Sequence, residues 1–445
     1  MSTPPPIDLR SFFRKVDPQA PHREGDYVRL YEGSDSQGLL ADDPVQLMAT
    51  EIDWAEGQSA QLFSGHRGTG KTTELRRLKA DLERNGHVVV HCDMEDHLHL
   101  SSPVDIVDFL VAAVSAFARG LDNHPAVELP APLEQGYFER LGSWLTRTEV
   151  DLKELGFQAG TGGLIPGGEA SFKLDLKGNP DFKQRLQTRL SNHVGTLAQQ
   201  AHAFVSDCVA QARQSVGRPD LRVVVLFDSI EHIRGSTSDA EKVIQSVERL
   251  FLTHPDKLRL PDLHVVYTVP PWLKIRAPGV GGNFSALRQI PCVRLADRAG
   301  HPDPAGVGRM VELVATREPE WGQVFSRTQL ERLVQCSGGY IRDLLRLVQE
   351  ALRGGAGQAL PLSDGVVDSA IARVRRSYLP LTRLDARWLA EVHRTKDVAL
   401  ERQAQLPDLA RLFENMLVLN YFDDEEWYDI HPLVVDEVRQ MTEST

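Results

Sequence analysis

Two hydrophobic periodicities alternate along the chain. Short runs in which most residues are apolar occur at 60–64, 88–92, 221–228, 263–269 and 290–295. Each has the length of a strand buried on both faces. Between them, apolar residues recur every three or four positions: Leu75, Leu78 and Leu82 in 73–82, one face of 104–121, and Leu186, Leu190, Val194, Leu197, Ala201, Phe204, Val205 and Cys208 in a long stretch over 181–215. These segments predict amphipathic helices. Residues 44–54 predict a short helix ahead of the first strand. Strands alternating with helices predict an α/β fold, a parallel sheet with helices on both faces.

Two regions break this rhythm. Residues 1–43 mix prolines, charges and a Gly33-Ser34-Asp35-Ser36 stretch, and read as an N-terminal arm. Residues 122–220 delay the third long apolar run and read as an insertion into the sheet domain. Within it Phe172, Leu174 and Leu176 alternate with Lys173, Asp175 and Lys177, a period of two that suggests a hairpin or edge strand. The nearby glycine pairs have no lysine after them and read as turns.

The turn after the first strand run carries the most chemistry. Residues Gly65-His66-Arg67-Gly68-Thr69-Gly70-Lys71-Thr72 complete a G-x-x-x-x-G-K-[ST] phosphate loop, with Thr73 opening the helical segment behind it. Glycines let the backbone approach an anion, and successive N–H groups make a nest for phosphate oxygens. The helix adds the positive end of its dipole. Lys71 is expected to bridge the β- and γ-phosphates of ATP, or to meet the β-phosphate of ADP, and the Thr72 hydroxyl to hold Mg²⁺.

The 221–228 run ends in Asp228, a carboxylate at the end of a central strand and the second expected Mg²⁺ contact. Glu231, three residues on, is the candidate to orient the attacking water. Thr268 closes the next run and faces the γ-phosphate if its strand lies beside that of Asp228. His91, Asp93, Glu95, His97 and His99 crowd another strand end. Zinc binding is conceivable there, but a polar strand end beside the nucleotide is the favoured reading.

Composition narrows the class. The 445 residues suit about two to four domains. At 41% hydrophobic and 25% charged the chain is ordinary globular protein, and its net charge of −12 argues against a broad nucleic-acid surface. Cys92, Cys208, Cys292 and Cys336 form no C-x-x-C pair and read as buried thiols of a reducing compartment. No membrane-length apolar run or secretion signal is visible, so a cytoplasmic location is expected.

From about residue 44 to the end, these motifs resemble the P-loop ATPases of the AAA+/STAND kind, close in layout to the Orc1/Cdc6-like and bacterial STAND ATPases. The resemblance implies a P-loop core over 44–296, a helical lid over 297–377 and a winged helix over 378–445. Within Ser337-Gly338-Gly339-Tyr340-Ile341-Arg342, Arg342 matches the arginine that reaches the γ-phosphate from the lid. Residues 416–422 and 427–430 resemble the wing strands, and the following His431 resembles the histidine that touches the ADP β-phosphate in a resting state. A strand-to-helix cap is the alternative reading of His431. The chain departs from the pattern at Ser229, where many relatives carry Glu. That shifts the base role to Glu231 and suggests slow hydrolysis. Arg276 and Arg288 both lie where a trans-acting arginine finger is expected.

The resemblance implies a slowly hydrolysing regulatory ATPase that acts on a separately encoded effector or regulator protein, for example in anti-phage defence. Nucleotide-dependent homo-oligomers fit as well. One alternative is a DNA-sensing or DNA-loading ATPase. Residues 378–445 hold seven Lys/Arg against fourteen Asp/Glu, including the run Asp423-Asp424-Glu425-Glu426, which disfavours DNA. The other alternative is a nucleotide-binding scaffold without turnover.

Overall fold

The structure is a computed structural model that describes residues 7–19, 24–30, 43–99, 102–147, 159–160, 163–164, 179–233, 240–398, 405–423 and 425–443. The alternating segment at 172–176 and Asp424 lie outside the described residues. In chain order the strands are β1 (Ser59–Gly65), β2 (Val88–Asp93), the two-residue β3 (Ala159–Gly160) and β4 (Gly163–Leu164), β5 (Val223–Asp228), β6 (His264–Val269), β7 (Ala286–Ile290), β8 (Val418–Asp423) and β9 (Glu425–Ile430). Five of them form one sheet in the order β2-β5-β6-β1-β7. The pairings of β2 with β5, β5 with β6, and β6 with β1 are parallel. β1, β5 and β6 are buried along their whole length, which is why they read as unbroken apolar runs.

The chain divides into two compact units. The sheet unit comprises Val45–Ser64 and Glu74–Gln289. Its helix Ile106–Asp122 is buried on nearly every side and opens with a reciprocal cap between Asp105 and Asp108. Gly120 in that helix meets β2 so closely that a Cβ there would lie 2.0 Å from Val90. The stretch expected to be one helix over 181–215 is two, Pro180–Leu190 and Val194–Val216, joined by a 3₁₀ turn at Ser191–His193. The Ser191 hydroxyl bonds back to the Thr188 carbonyl, the local competition by which serine weakens a helix interior. Gly217, in the left-handed region, ends the second helix.

The loop-and-lid unit comprises Met1–Pro44, Gly65–Thr73 and Ile290–Thr445. Helices Pro304–Arg317, Arg327–Ser337, Ile341–Gly354 and Asp364–Arg376 come first. Helices Arg383–Thr395 and Leu406–Glu414, the antiparallel hairpin of β8 and β9, and helix Val435–Glu443 follow. The arm contributes helix Leu9–Lys15, whose Phe12 is buried edge-on to Phe325. A core of Cys292, Tyr340, Met416, Leu419, Tyr421 and Trp427 joins the lid to the hairpin.

One expected strand is displaced. The fifth long apolar run, 290–295, is not a strand; β7 occupies Ala286–Ile290 instead. Pro291 has no N–H with which to continue a ladder. Beyond it, the Cys292 N–H donates to the Asn420 carbonyl and the Val293 N–H to that of Gly339. The run is apolar because lid and hairpin bury it.

Gly339 fixes this junction. Its φ is +73°, and a Cβ there would lie 1.7 Å from the Val293 carbonyl oxygen. Gly339→Ala is expected to lower stability by more than the ~1–2 kcal/mol that a left-handed backbone alone costs. Denaturant titration checks this, and an unchanged midpoint would refute the close approach.

Candidate nucleotide-binding site

The glycine loop belongs to the loop-and-lid unit. Gly68 and Gly70 have φ of +90° and +101°, conformations that favour glycine. The Thr69 hydroxyl donates to the His66 carbonyl at 2.9 Å and tightens the turn. Lys71 opens helix Lys71–Arg84, and its ammonium is 2.8 Å from the carbonyls of both Gly65 and His66. Lys71 is buried, and Thr72 is half-buried on the first turn. A nearly desolvated cation, positive-φ glycines and the N-terminus of a 14-residue helix together fit a polyphosphate.

Three side chains from the rest of this unit approach the loop. The Tyr340 hydroxyl donates to the Arg67 carbonyl at 2.5 Å. A Cβ on Gly68 would lie 2.6 Å from Arg342 Nε and 2.9 Å from the Tyr340 hydroxyl. The His66 ring stacks on Phe413, with centroids 5.3 Å apart and planes 21° from parallel. Burial, and then the Lys71 charge, lower the His66 pKa to about 3, so its imidazole is neutral at physiological pH.

His431 lies elsewhere in this unit. Its Nε2 is 3.2 Å from Asp343 Oδ2, and neither residue is exposed. The expected contact partner was a phosphate; the observed neighbour is the carboxylate that follows Arg342. Burial works to raise the Asp343 pKa, but His431, Arg346 and Tyr378 together outweigh it and hold the carboxyl below its ordinary value.

The remaining candidates are in the sheet unit. Asp228 ends β5 and is buried. Its Oδ1 accepts the Ser229 N–H at 2.8 Å, and its Oδ2 faces His91 Nε2 at 3.1 Å. Ser229 has φ +68°, an unusual conformation for a side-chain-bearing residue. This tight turn sends the chain into the 3₁₀ helix Ile230–His232. β6 does lie beside β5, and the Thr268 hydroxyl accepts the Ile230 N–H at 3.1 Å. Thr268 therefore supports the turn that carries Glu231. Beyond Glu231, His232 Nδ1 is 2.5 Å from Glu95, and its Nε2 is 3.8 Å from Glu231.

Arg276 is held inward by Glu248 at 2.6 Å and Glu241 at 2.7 Å, while Arg288 lies half-buried on β7. Among the described residues no group of three or more His, Cys, Asp or Glu side chains is arranged to hold a metal ion. The Thr72 hydroxyl, in the loop-and-lid unit, and the Asp228 carboxylate, in the sheet unit, are each oxygen donors of the kind Mg²⁺ takes. Among the described residues no helix is long and apolar enough to cross a membrane.

Sequence reading placed His91 at a polar strand end beside the nucleotide, but missed its pairing with Asp228 and gave no role to Tyr340, Phe413, His232 and Asp343. Tyr340 and Asp343 flank Arg342 in the glycine-led segment, a signal that could have found them. Phe413 reads only as a helical core residue.

The glycine loop opening a helix after β1, and the β2-β5-β6-β1-β7 order, define an α/β P-loop NTPase fold with a helical C-terminal region. No family model and no curated protein matches the chain. Among solved structures it is similar to Cdc6p from Pyrobaculum aerophilum, with 11% identity over 98% of each chain and a TM-score of 0.36. It is also similar to RuvB from Thermotoga maritima, with 10% identity over 88% of this chain and 85% of that one and a TM-score of 0.36. Likenesses this low carry no argument, and the fold assignment rests on the sheet and the loop.

The neutral His66 has a consequence for stability. Its native pKa of about 3 lies below the ordinary 6.5. Between those values the unfolded chain binds a proton that the native chain does not. The contribution is full above pH 6.5 and is lost as pH falls towards 3, at up to ~1.4 kcal/mol per pH unit. His66→Phe keeps a ring for Phe413 and removes the titration. Between pH 7 and pH 5 the variant is expected to lose ~2 kcal/mol less than wild type in denaturant unfolding; parallel pH profiles would refute this.

Proposed function

We propose that this chain is a regulatory ATPase of the AAA+/STAND kind whose nucleotide state is read by its lid and C-terminal module. The observation that carries the reading is the grip on the glycine loop: Tyr340 on Arg67, Arg342 over Gly68 and Phe413 on His66. A loop used only for binding does not require contacts from two distant segments, the start of helix Ile341–Gly354 and helix Leu406–Glu414. Here whatever fills the loop bears directly on the residues that anchor lid and hairpin.

In this reading the loop N–H groups and Lys71 bind the phosphates, and Arg342 meets the γ-phosphate. Thr72 and Asp228 hold Mg²⁺, which when bound neutralises charge developing on the phosphates. His91 and the Ser229 N–H keep the Asp228 carboxylate oriented. Glu231 accepts a proton from the attacking water, and Thr268 steadies the turn that carries it. Slow turnover suits a switch better than a motor.

The helices Arg383–Thr395 and Leu406–Glu414 with the β8–β9 hairpin form the proposed winged helix. Asp423, Glu425 and Glu426 make its tip acidic, so a protein effector or regulator is the proposed partner rather than DNA. A setting in anti-phage defence rests on the family resemblance alone.

The test is nucleotide content and assembly. Wild type is expected to co-purify with ADP and to change mass in solution with a non-hydrolysable ATP analogue. Lys71→Ala should do neither. Glu231→Gln should keep nucleotide binding and lose at least ~100-fold in hydrolysis. A nucleotide-free wild type whose mass is the same with ADP and the analogue would overturn the switch, and Glu231→Gln at the wild-type rate would remove Glu231 from the reaction.

A further inference from the structure

We propose that His431 is a positioning residue for Arg342, acting through Asp343, and not a phosphate ligand. The inference rests on the reading of Arg342 as a nucleotide-facing residue.

Each ring nitrogen of His431 faces one neighbour, Nδ1 as a hydrogen-bond acceptor and Nε2 at ion-pair distance from a carboxylate. Nδ1 accepts the Leu433 N–H at 3.2 Å, where His431 caps the turn after β9. A neutral ring that accepts at Nδ1 carries its proton on Nε2. That nitrogen lies 3.2 Å from Asp343 Oδ2. To turn towards a phosphate, His431 would have to give up the Leu433 cap and leave Asp343 short of a donor. Removing one partner of a buried polar group costs ~1–3 kcal/mol.

Asp343 gathers donors from three segments. Oδ2 also accepts the Tyr378 hydroxyl at 2.6 Å, and Oδ1 accepts Arg346 Nη1 at 2.8 Å. Tyr378 lies just past helix Asp364–Arg376, and its ring rests on His431 with centroids 4.6 Å apart. Arg346 also reaches the Ser377 hydroxyl at 2.9 Å. A carboxylate with no exposure is tolerable only when held in this way. Asp343 lies in the first turn of helix Ile341–Gly354, and Arg342 directly precedes it. First turns fray unless their side chains are fixed. Pinning Asp343 therefore pins the backbone from which Arg342 reaches Gly68. The C-terminal module thereby sets the aim of the lid arginine through the buried 3.2 Å approach of His431 to Asp343.

The test compares wild type, Arg342→Ala, His431→Ala, His431→Gln and the Arg342→Ala/His431→Ala double variant. The readouts are hydrolysis rate and the ratio of affinities for a non-hydrolysable ATP analogue and ADP. That ratio is insensitive to a general loss of folded protein. Arg342→Ala is expected to lower the ratio by ~10-fold or more. His431→Ala should lower it comparably, the double variant no further than Arg342→Ala, and His431→Gln, which keeps an N–H donor, should recover part of the loss. If His431→Ala does not fold, Tyr378→Phe removes one donor to Asp343 and should shift the ratio in the same direction. A wild-type ratio in His431→Ala, or a loss of ADP affinity additive with Arg342→Ala, overturns the proposal. If Arg342→Ala leaves both readouts at wild type, the reading of Arg342 itself falls, and the proposal with it.

Discussion

Two positions without side chains, Gly68 and Gly339, set the geometry on which the loop-and-lid unit depends. At Gly68 the absence of a Cβ makes room for Arg342 and the Tyr340 hydroxyl against the phosphate loop. At Gly339 it lets the backbone press on the Val293 carbonyl. The second contact makes the first possible. Tyr340 and Arg342 follow Gly339 within three residues, so the depth of the Val293 contact fixes how far they extend. A side chain at either position would part the lid from what it holds. Glycine acts here through close approach as well as through backbone freedom.

Two buried aspartates illustrate the same economy of charge. Asp228 is satisfied by its own turn and by His91 from the neighbouring strand. Asp343 accepts from Tyr378 and Arg346, with His431 Nε2 3.2 Å away. Neither could be buried as an anion without such donors. In each case a local group is joined by partners far away in sequence, His91 for Asp228 and Tyr378 and His431 for Asp343, so the carboxylate records how those elements are placed. For Asp228 the cost includes a strained Ser229. A Glu at that position, as in many proteins of the resembled kind, would meet the same left-handed backbone.

The sheet was largely legible because its central strands are buried on both faces and leave unbroken apolar runs. The loop was legible because its glycines and Lys71 carry their chemistry in local spacing. The 290–295 run misled because apolar residues look the same whether a sheet or a lid buries them; Pro291 was the available warning. The helix break at Ser191 was hidden because the apolar spacing continues in phase across it. His232 and Phe413 were illegible as site neighbours because tertiary approach alone brings them there. His431 stands where the resembled histidine touches a phosphate; the alternative, a cap on the turn after β9, is the contact its Nδ1 makes with Leu433, and its Nε2 faces Asp343 at 3.2 Å.

The contacts on the loop also tie its backbone to the lid and the hairpin. His66, Arg67 and Gly68 are consecutive, and they meet Phe413, Tyr340 and Arg342 respectively. Tyr340 belongs to the same core as Leu419, Tyr421 and Trp427 of the hairpin, and the Tyr421 hydroxyl holds the Gly338 carbonyl at 2.7 Å. A shift of the loop backbone by about an ångström would break the Tyr340 bond, since such bonds weaken steeply with distance and angle. It would also disturb the His66 stack. Packed interiors do not absorb such shifts smoothly; they favour discrete arrangements. A ligand that prefers one loop conformation must therefore bias the lid and hairpin by the same differential free energy. The neutrality of His66 fits this arrangement, because a charged ring there would be buried without solvent and would repel the adjacent Lys71.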